Sequence, residues 1–116
     1  MSNKVSDYTC IVCDEDKFSK ELIYNFIEKT EGFSIANSDN LADADIIFID
    51  SEFYETGFTP NKNLSAQIIV VSSNHKYVDS FFKNEITDYL IKSEINYSRF
   101  LETIEKIKIN RLESLN

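Results

Sequence analysis

Four short apolar runs in this chain end in polar residues of kinds that do chemistry together. YTCIVC is followed by Asp14, Glu15 and Asp16; DIIFID closes on Asp50 and continues into Ser51 and Glu52; QIIVV leads to Ser72 and Ser73; DYLI is followed by Lys92 and Ser93. Carboxylates crowded in one place repel one another, so such a group is unfavourable alone and well matched to a hard divalent cation with oxygen ligands. Magnesium is the expected occupant, because it takes one or two carboxylates and keeps positions for water and phosphate oxygens. A carboxylate beside that cation, with a lysine ammonium and a hydroxyl at hand, is equipped for phosphoryl transfer. All of this requires the tips of the runs to meet.

A parallel sheet would bring them together. Strands are expected at Tyr8 to Cys13, Phe33 to Ala36, Ile46 to Ile49, Gln67 to Val71 and Ile86 to Ile91. CIVC, IIFI and IIVV are apolar without alternation, the pattern of a strand covered on both faces. Between the runs lie helical stripes. Lys17 to Thr30 carries Phe18, Leu22, Ile23, Phe26 and Ile27, with Asp16 as candidate N-cap and Gly32 as the stop. His75 to Lys83 and Ile95 to Leu112 are expected to be helical on the same grounds. Alternating strands and helices imply right-handed crossovers and an α/β, flavodoxin-like, doubly wound five-stranded parallel sheet in the order 2-1-3-4-5. The second and third crossovers, residues 37–45 and 51–66 with Thr59-Pro60 inside the latter, are short for this plan, so one-turn helices or irregular loops are expected there and thin cover on part of one face. Function in such a sheet collects beyond the carboxyl ends of the strands, where Asp14, Asp50, Ser72 and Lys92 stand.

Composition narrows the function. At 116 residues with two Gly and one Pro, the chain is expected to fold as a single domain over residues 1–116. Twenty acidic against twelve basic residues give a net charge of -8, which argues against direct nucleic-acid binding and against anionic membrane surfaces. No signal-peptide pattern opens the chain and no apolar run approaches membrane-spanning length, so a cytoplasmic location is expected. Cys10 and Cys13 have C-x-x-C spacing, but no second pair and one lone histidine, His75, accompany them. Three residues apart on a strand, they should point to opposite faces as small core residues.

Taken together, the motifs resemble the receiver domains of two-component response regulators, a CheY-like fold, over roughly Tyr8 to Lys108. IVCDED resembles the family's acidic pair after the first strand, DIIFID its strand ending in the phosphorylated aspartate, IIVVSS its strand ending in Ser or Thr, and DYLIK its aromatic-x-x-Lys. The 20-residue interval from Ser72 to Lys92 matches receivers that precede LytTR DNA-binding domains. The resemblance implies that Asp50 is the phosphoacceptor, assisted by Lys92 and Ser72, and that magnesium is held by Asp14, Glu15, Asp50 and the backbone carbonyl of Glu52. It also implies a switch made of Ser72 and Tyr89, and a phosphoacceptor rather than an enzyme. The implied partners are a sensor histidine kinase or phosphotransfer protein upstream. Downstream they are a target protein or a second copy, docked through the family's fourth helix, fifth strand and fifth helix, with Tyr77, Tyr89 and Tyr97 on that surface.

The chain departs from the family pattern in places. Phe53-Tyr54 stands where the family has Met-Pro, and Ser93 follows Lys92 where the family has a proline joined by a cis peptide. These departures and the short crossovers suggest an alternative, a receiver-like docking module that works without phosphorylation. A magnesium-dependent hydrolase or a flavin protein on the same fold is disfavoured: no general base is evident, and DEDKFS offers acids where a phosphate-binding loop needs hydroxyls and glycine.

Overall fold

The computed structural model describes residues 7–55, 65–74 and 86–114. Five strands form one all-parallel sheet in the order β2-β1-β3-β4-β5. They are β1 (Tyr8–Cys13), β2 (Phe33–Ile35), β3 (Ile46–Asp50), β4 (Gln67–Ser72) and β5 (Asp88–Ile91). The expected topology is the observed one. The expected helix at His75 to Lys83, Tyr77 within it, and Thr59-Pro60 lie outside the described residues.

Helix α1 (Lys17–Glu28) starts where Asp16 caps it, its Oδ1 accepting from the Phe18 and Ser19 N–H groups at 3.1 and 3.4 Å. The chain then turns at Gly32, whose φ of +87° favours glycine, and the Gly32 carbonyl accepts from the Asp7 and Tyr8 N–H groups. In the second crossover a single 3₁₀ turn, Leu41–Asp43, stands in for a helix and is capped by Asn40. Helix α2 (Ser51–Glu55) begins directly at the end of β3. A 3₁₀ turn, Lys92–Glu94, follows β5 and leads to helix α3 (Tyr97–Ser114). This helix starts two residues later than its apolar pattern suggests, because the Asn96 side chain accepts the Arg99 N–H at 2.8 Å and so fixes the first turn.

The sheet separates two apolar layers. On one face Cys10, Val12, Phe48, Ile69, Val71 and Leu90 meet Ile23, Phe26 and Ile27 of α1 and Phe100, Ile104 and Ile107 of α3. Phe100 lies at the centre, its ring 5.4 Å from that of Phe26 and 5.8 Å from that of Phe48. The other face carries Ile11, Ile47, Ile49, Ile68, Val70 and Tyr89, with Leu41 and Phe53 packed on it. The continuous apolar strands are thus buried on both sides, as their composition requires. Cys10 is buried in the first layer and Cys13, only half-buried, packs on the second, so the pair does point to opposite faces.

One buried charge ties the edge strand to the last helix. Asp88, 1% exposed at the start of β5, accepts from both Arg99 guanidinium nitrogens at 3.0 and 3.1 Å and from Lys106 Nζ at 3.0 Å. The Thr103 hydroxyl and the Tyr89 N–H also donate to it. Burial alone would raise the Asp88 pKa, but the donors from Arg99, Thr103 and Lys106 outweigh it and hold the carboxyl below its ordinary range. A carboxyl depressed in the folded state stabilises that state above its unfolded value, near 3.9, and loses the contribution as pH falls through the folded value. We therefore expect Asp88→Ala to cost about 3 kcal/mol in urea unfolding at pH 7, with the deficit against wild type shrinking on acidification below about pH 4. A deficit independent of pH would contradict the assignment.

Candidate functional site

The register of the sheet decides which tips meet. Cys13 pairs with Ile49, so Asp14 and Asp50 follow at the same level; Ser72 pairs with Ile91, so Lys92 is the next residue along. Both aspartates use the same local device. Asp14 Oδ1 accepts the Asp16 N–H at 2.8 Å and Asp50 Oδ1 accepts the Glu52 N–H at 2.8 Å, turning the chain at each strand end. Each keeps its Oδ2 for the site.

Lys92 fills the space between them. Its ammonium lies 2.6 Å from Asp50 Oδ2, 3.3 Å from Asp14 Oδ2 and 3.5 Å from Asp16 Oδ2. Partial burial would depress the lysine pKa, but the contacts with Asp50 and Asp14 more than reverse that and hold it above its ordinary value. Asp14 moves the other way from an ion-paired acid. Its burial raises its pKa, and the Asp16 N–H and Lys92 offset this only in part. Of the two strand-end aspartates, Asp50 is the nearer partner of the ammonium. Asp16, which caps α1, also has a lowered pKa, first from the Ser19 hydroxyl that donates to it.

An open cleft of about 360 Å³ lies over these groups, lined by Asp14, Glu15, Asp16, Asp50, Glu52, Phe53, Ser73 and Lys92. Glu15 and Glu52 are exposed on its rim, and Phe53, half-buried, forms the apolar wall. Asp14 Oδ2 is buried and receives no hydrogen bond, only the ion pair with Lys92. Among the described residues no three His, Cys, Asp or Glu side chains converge closely enough to make a ready cation cage. A hard dication that takes two carboxylate oxygens and completes its shell with water and backbone carbonyls fits this donor set. Asp14 and Asp50 would supply those oxygens.

Behind the acids runs a chain of hydrogen bonds. The Ser51 hydroxyl donates to Ser72 Oγ at 3.0 Å, and the Asn74 N–H donates to the same oxygen at 3.3 Å. With both acceptor positions taken, the remaining capacity of Ser72 is its own O–H. The Asn74 carbonyl in turn accepts the Tyr89 hydroxyl. Tyr89 is 6% exposed, so it faces inward and is not part of an outer surface. Tyr97, expected on the same surface, turns instead toward α1, tilted against Phe26 and stacked with Phe100, with Lys29 over its ring at 4.3 Å. Ser51 and Asn74 escaped the sequence reading, since a serine after an acid and an asparagine in a loop carry no signal beyond turn chemistry.

Solved structures share this architecture. A LuxR-family DNA-binding response regulator from Staphylococcus aureus superposes with a TM-score of 0.62 at 18% identity, covering 86% of this chain and 98% of that one. A response regulator from Thermotoga maritima gives 0.65 at 22% identity, covering 86% and 96%. The fold is that of response-regulator receiver domains. A third, DrrB from Thermotoga maritima, described as an OmpR/PhoB homolog, gives 0.62 at 11% identity and covers 90% of this chain but 54% of that one. No family model matches the sequence, and no curated protein matches it. The carboxyl ends of β1, β3, β4 and β5 lie along one rim of the sheet; Asp14, Asp50 and Lys92 line the cleft there, whereas Ser72 is buried and the neighbouring Ser73 lines it instead.

The Ser51–Ser72 bond is buried, so Ser51→Ala is expected to cost about 1 kcal/mol in denaturant unfolding and Ser72→Ala about 1–2 kcal/mol. The double variant should cost clearly less than the sum, because the two hydroxyls act through each other. Strict additivity would mean that the bond does not form.

Proposed function

We propose that this chain is a phosphoacceptor receiver of a two-component system, a switch rather than an enzyme, with Asp50 as the accepting carboxylate. The observation that carries the reading is the convergence of Asp50, Asp14 and Lys92, with the ammonium 2.6 Å from the Asp50 oxygen that faces the cleft. In the reaction, Asp50 Oδ2 attacks phosphorus, an O–P bond forms, and the bond from phosphorus to the donor's nitrogen or oxygen breaks with its electron pair leaving on the donor. The product is an acyl phosphate. Lys92 offers positive charge to the phosphoryl oxygens, and Phe53 shields one side of the cleft. Asp14, Glu15, Asp50 and the Glu52 carbonyl would hold Mg²⁺, which would neutralise further charge on the phosphoryl group when bound.

The readout in this reading is the Ser72 hydroxyl. Donation of its free O–H to a charged phosphoryl oxygen is worth about 1.5–3 kcal/mol, enough to move a two-state loop tenfold or more. Ser72 is joined to Tyr89 through Asn74, so a shift at Ser72 would reach β5. The phosphodonor would be a sensor histidine kinase, a phosphotransfer protein or a small phosphoanhydride, and the output a target protein or a second copy.

A second reading, a docking module independent of phosphorylation, is favoured by one observation: the Lys92 ammonium already bridges Asp50 and Asp14, so the two acids are tied together without a dication. One experiment separates the two. Incubated with a small-molecule phosphodonor and Mg²⁺, the wild-type chain should gain the mass of one phosphoryl group, and Asp50→Asn should gain none. Failure of the wild-type chain to gain mass over a wide range of donor and metal concentrations would favour docking.

A further inference from the structure

Ser72 sits at the rim without opening into the cleft. It is 1% exposed, and the hydroxyl that lines the cleft beside Asp14, Asp50 and Lys92 is that of Ser73. Alternation along β4 sends the Ser72 side chain to the face of Val70 and Tyr89, away from the face that Val71 shares with Phe48. To meet a phosphoryl group on Asp50, the Ser72 hydroxyl must leave this buried place. Two hydrogen bonds arrive at its oxygen there, and they differ in what such a move does to them. The Asn74 N–H belongs to the same segment, two residues on, and can travel with Ser72. The Ser51 hydroxyl belongs to another element, opening α2 directly after Asp50, and it is buried as well.

The sheet register creates this second bond. Asp50 lies opposite Val71, so Ser51 and Ser72 follow at one level on adjoining segments, and their hydroxyls meet at 3.0 Å. Ser51 is covalently tied to the acid and cannot follow Ser72 when Ser72 turns toward that acid's far oxygen. We propose, on the reading of Asp50 as phosphoacceptor, that Ser51 is a latch: its hydroxyl holds Ser72 in the resting position and competes with the phosphoryl group for it. Ser51 is a positioning residue, acting through Ser72 alone. Removing its hydroxyl takes one hydrogen bond from the resting state and none from the switched state, so the switched state becomes more populated. A ligand that requires the switched state then binds tighter by the same factor. For a neutral hydrogen bond of ordinary net strength that factor is about two- to tenfold.

Titration with beryllium fluoride and Mg²⁺, a stable mimic of the phosphoryl group, followed by fluorine NMR, tests the latch. Ser51→Ala should bind the mimic about two- to tenfold tighter than wild type. Ser51→Cys, close in size but with a weak donor, should shift affinity in the same direction, and it carries the test if circular dichroism shows that Ser51→Ala does not fold. In a Ser72→Ala background the same Ser51 substitutions should leave affinity unchanged, because no hydroxyl remains to be held. A general loosening of α2 would instead change affinity in both backgrounds. If wild type binds the mimic and the Ser51 variants bind it equally or more weakly, or if their gain persists without the Ser72 hydroxyl, the latch is overturned while Asp50 stands. If wild type does not bind the mimic at all, the reading of Asp50 fails and the latch fails with it.

Discussion

Two carboxylates at the same level on neighbouring parallel strands, both largely withdrawn from water, repel one another when both are ionised unless a cation lies between them. Asp14 and Asp50 are in that position because β1 and β3 pair directly and each ends in an aspartate that folds its own chain back with one oxygen. Lys92 supplies the cation from the tip of β5, two strands away from β3 in the sheet. The contact ties the central strands to the edge strand across β4. A side chain of this reach and charge is one of the few that could do so, and a shorter or neutral residue would leave the acids facing each other.

Because Lys92 must hold that place, β5 has to be well anchored, and it is a strand of only four residues. Its anchor is at the opposite end. Asp88, buried among Arg99, Thr103 and Lys106, fixes the start of β5 to α3, and the Arg99 guanidinium also donates to the Tyr89 carbonyl at 3.0 Å. A buried carboxylate with this many donors is costly to disturb, since loss of the acid would leave Arg99 and Thr103 without their shared acceptor. The ionic contacts at the two ends of β5 thus have different characters. The one at Asp88 is buried and saturated; the one at Lys92 opens onto a cleft.

The sheet order was legible because the apolar runs are short, non-alternating and separated by helical stripes, so few arrangements satisfy both periods. The convergence of residues 14, 50 and 92 followed from that order alone, since strand ends in a parallel sheet share one rim. What sequence reasoning lacked was pairing at the level of single atoms. Nothing in DIIFIDSEF says that Ser51 turns inward to Ser72 rather than capping α2 outward, and nothing in IKSE says that the ammonium lies against the acids rather than across a cleft from them. Asp88 was hidden for a different reason. An acid before an apolar run reads as a strand start, and its cations at positions 99 and 106 become visible only when α3 is known to lie against β5. Tyr97 went the wrong way for the same reason: its direction depends on α1, which is distant in sequence.

The unequal anchoring of β5 also locates where this domain can give. Any movement of Ser72 toward a group on Asp50 must be absorbed either by α3 or by the segment after β4. Helix α3 is held by the Asp88 cluster and by Phe100 and Ile104 in the core, and shifting it would break several buried contacts at once. The segment after β4 is held to the site by the Asn74 N–H on Ser72 and to β5 by the Asn74 carbonyl on Tyr89, a pair of contacts that a rotation of one residue can exchange. In the proposed switch, free-energy cost would therefore favour a change at Ser72 being taken up at Asn74 and Tyr89 rather than in α3. On that argument α3 would be a fixed platform in the proposed switch, and what the cleft would alter is the contact at Asn74.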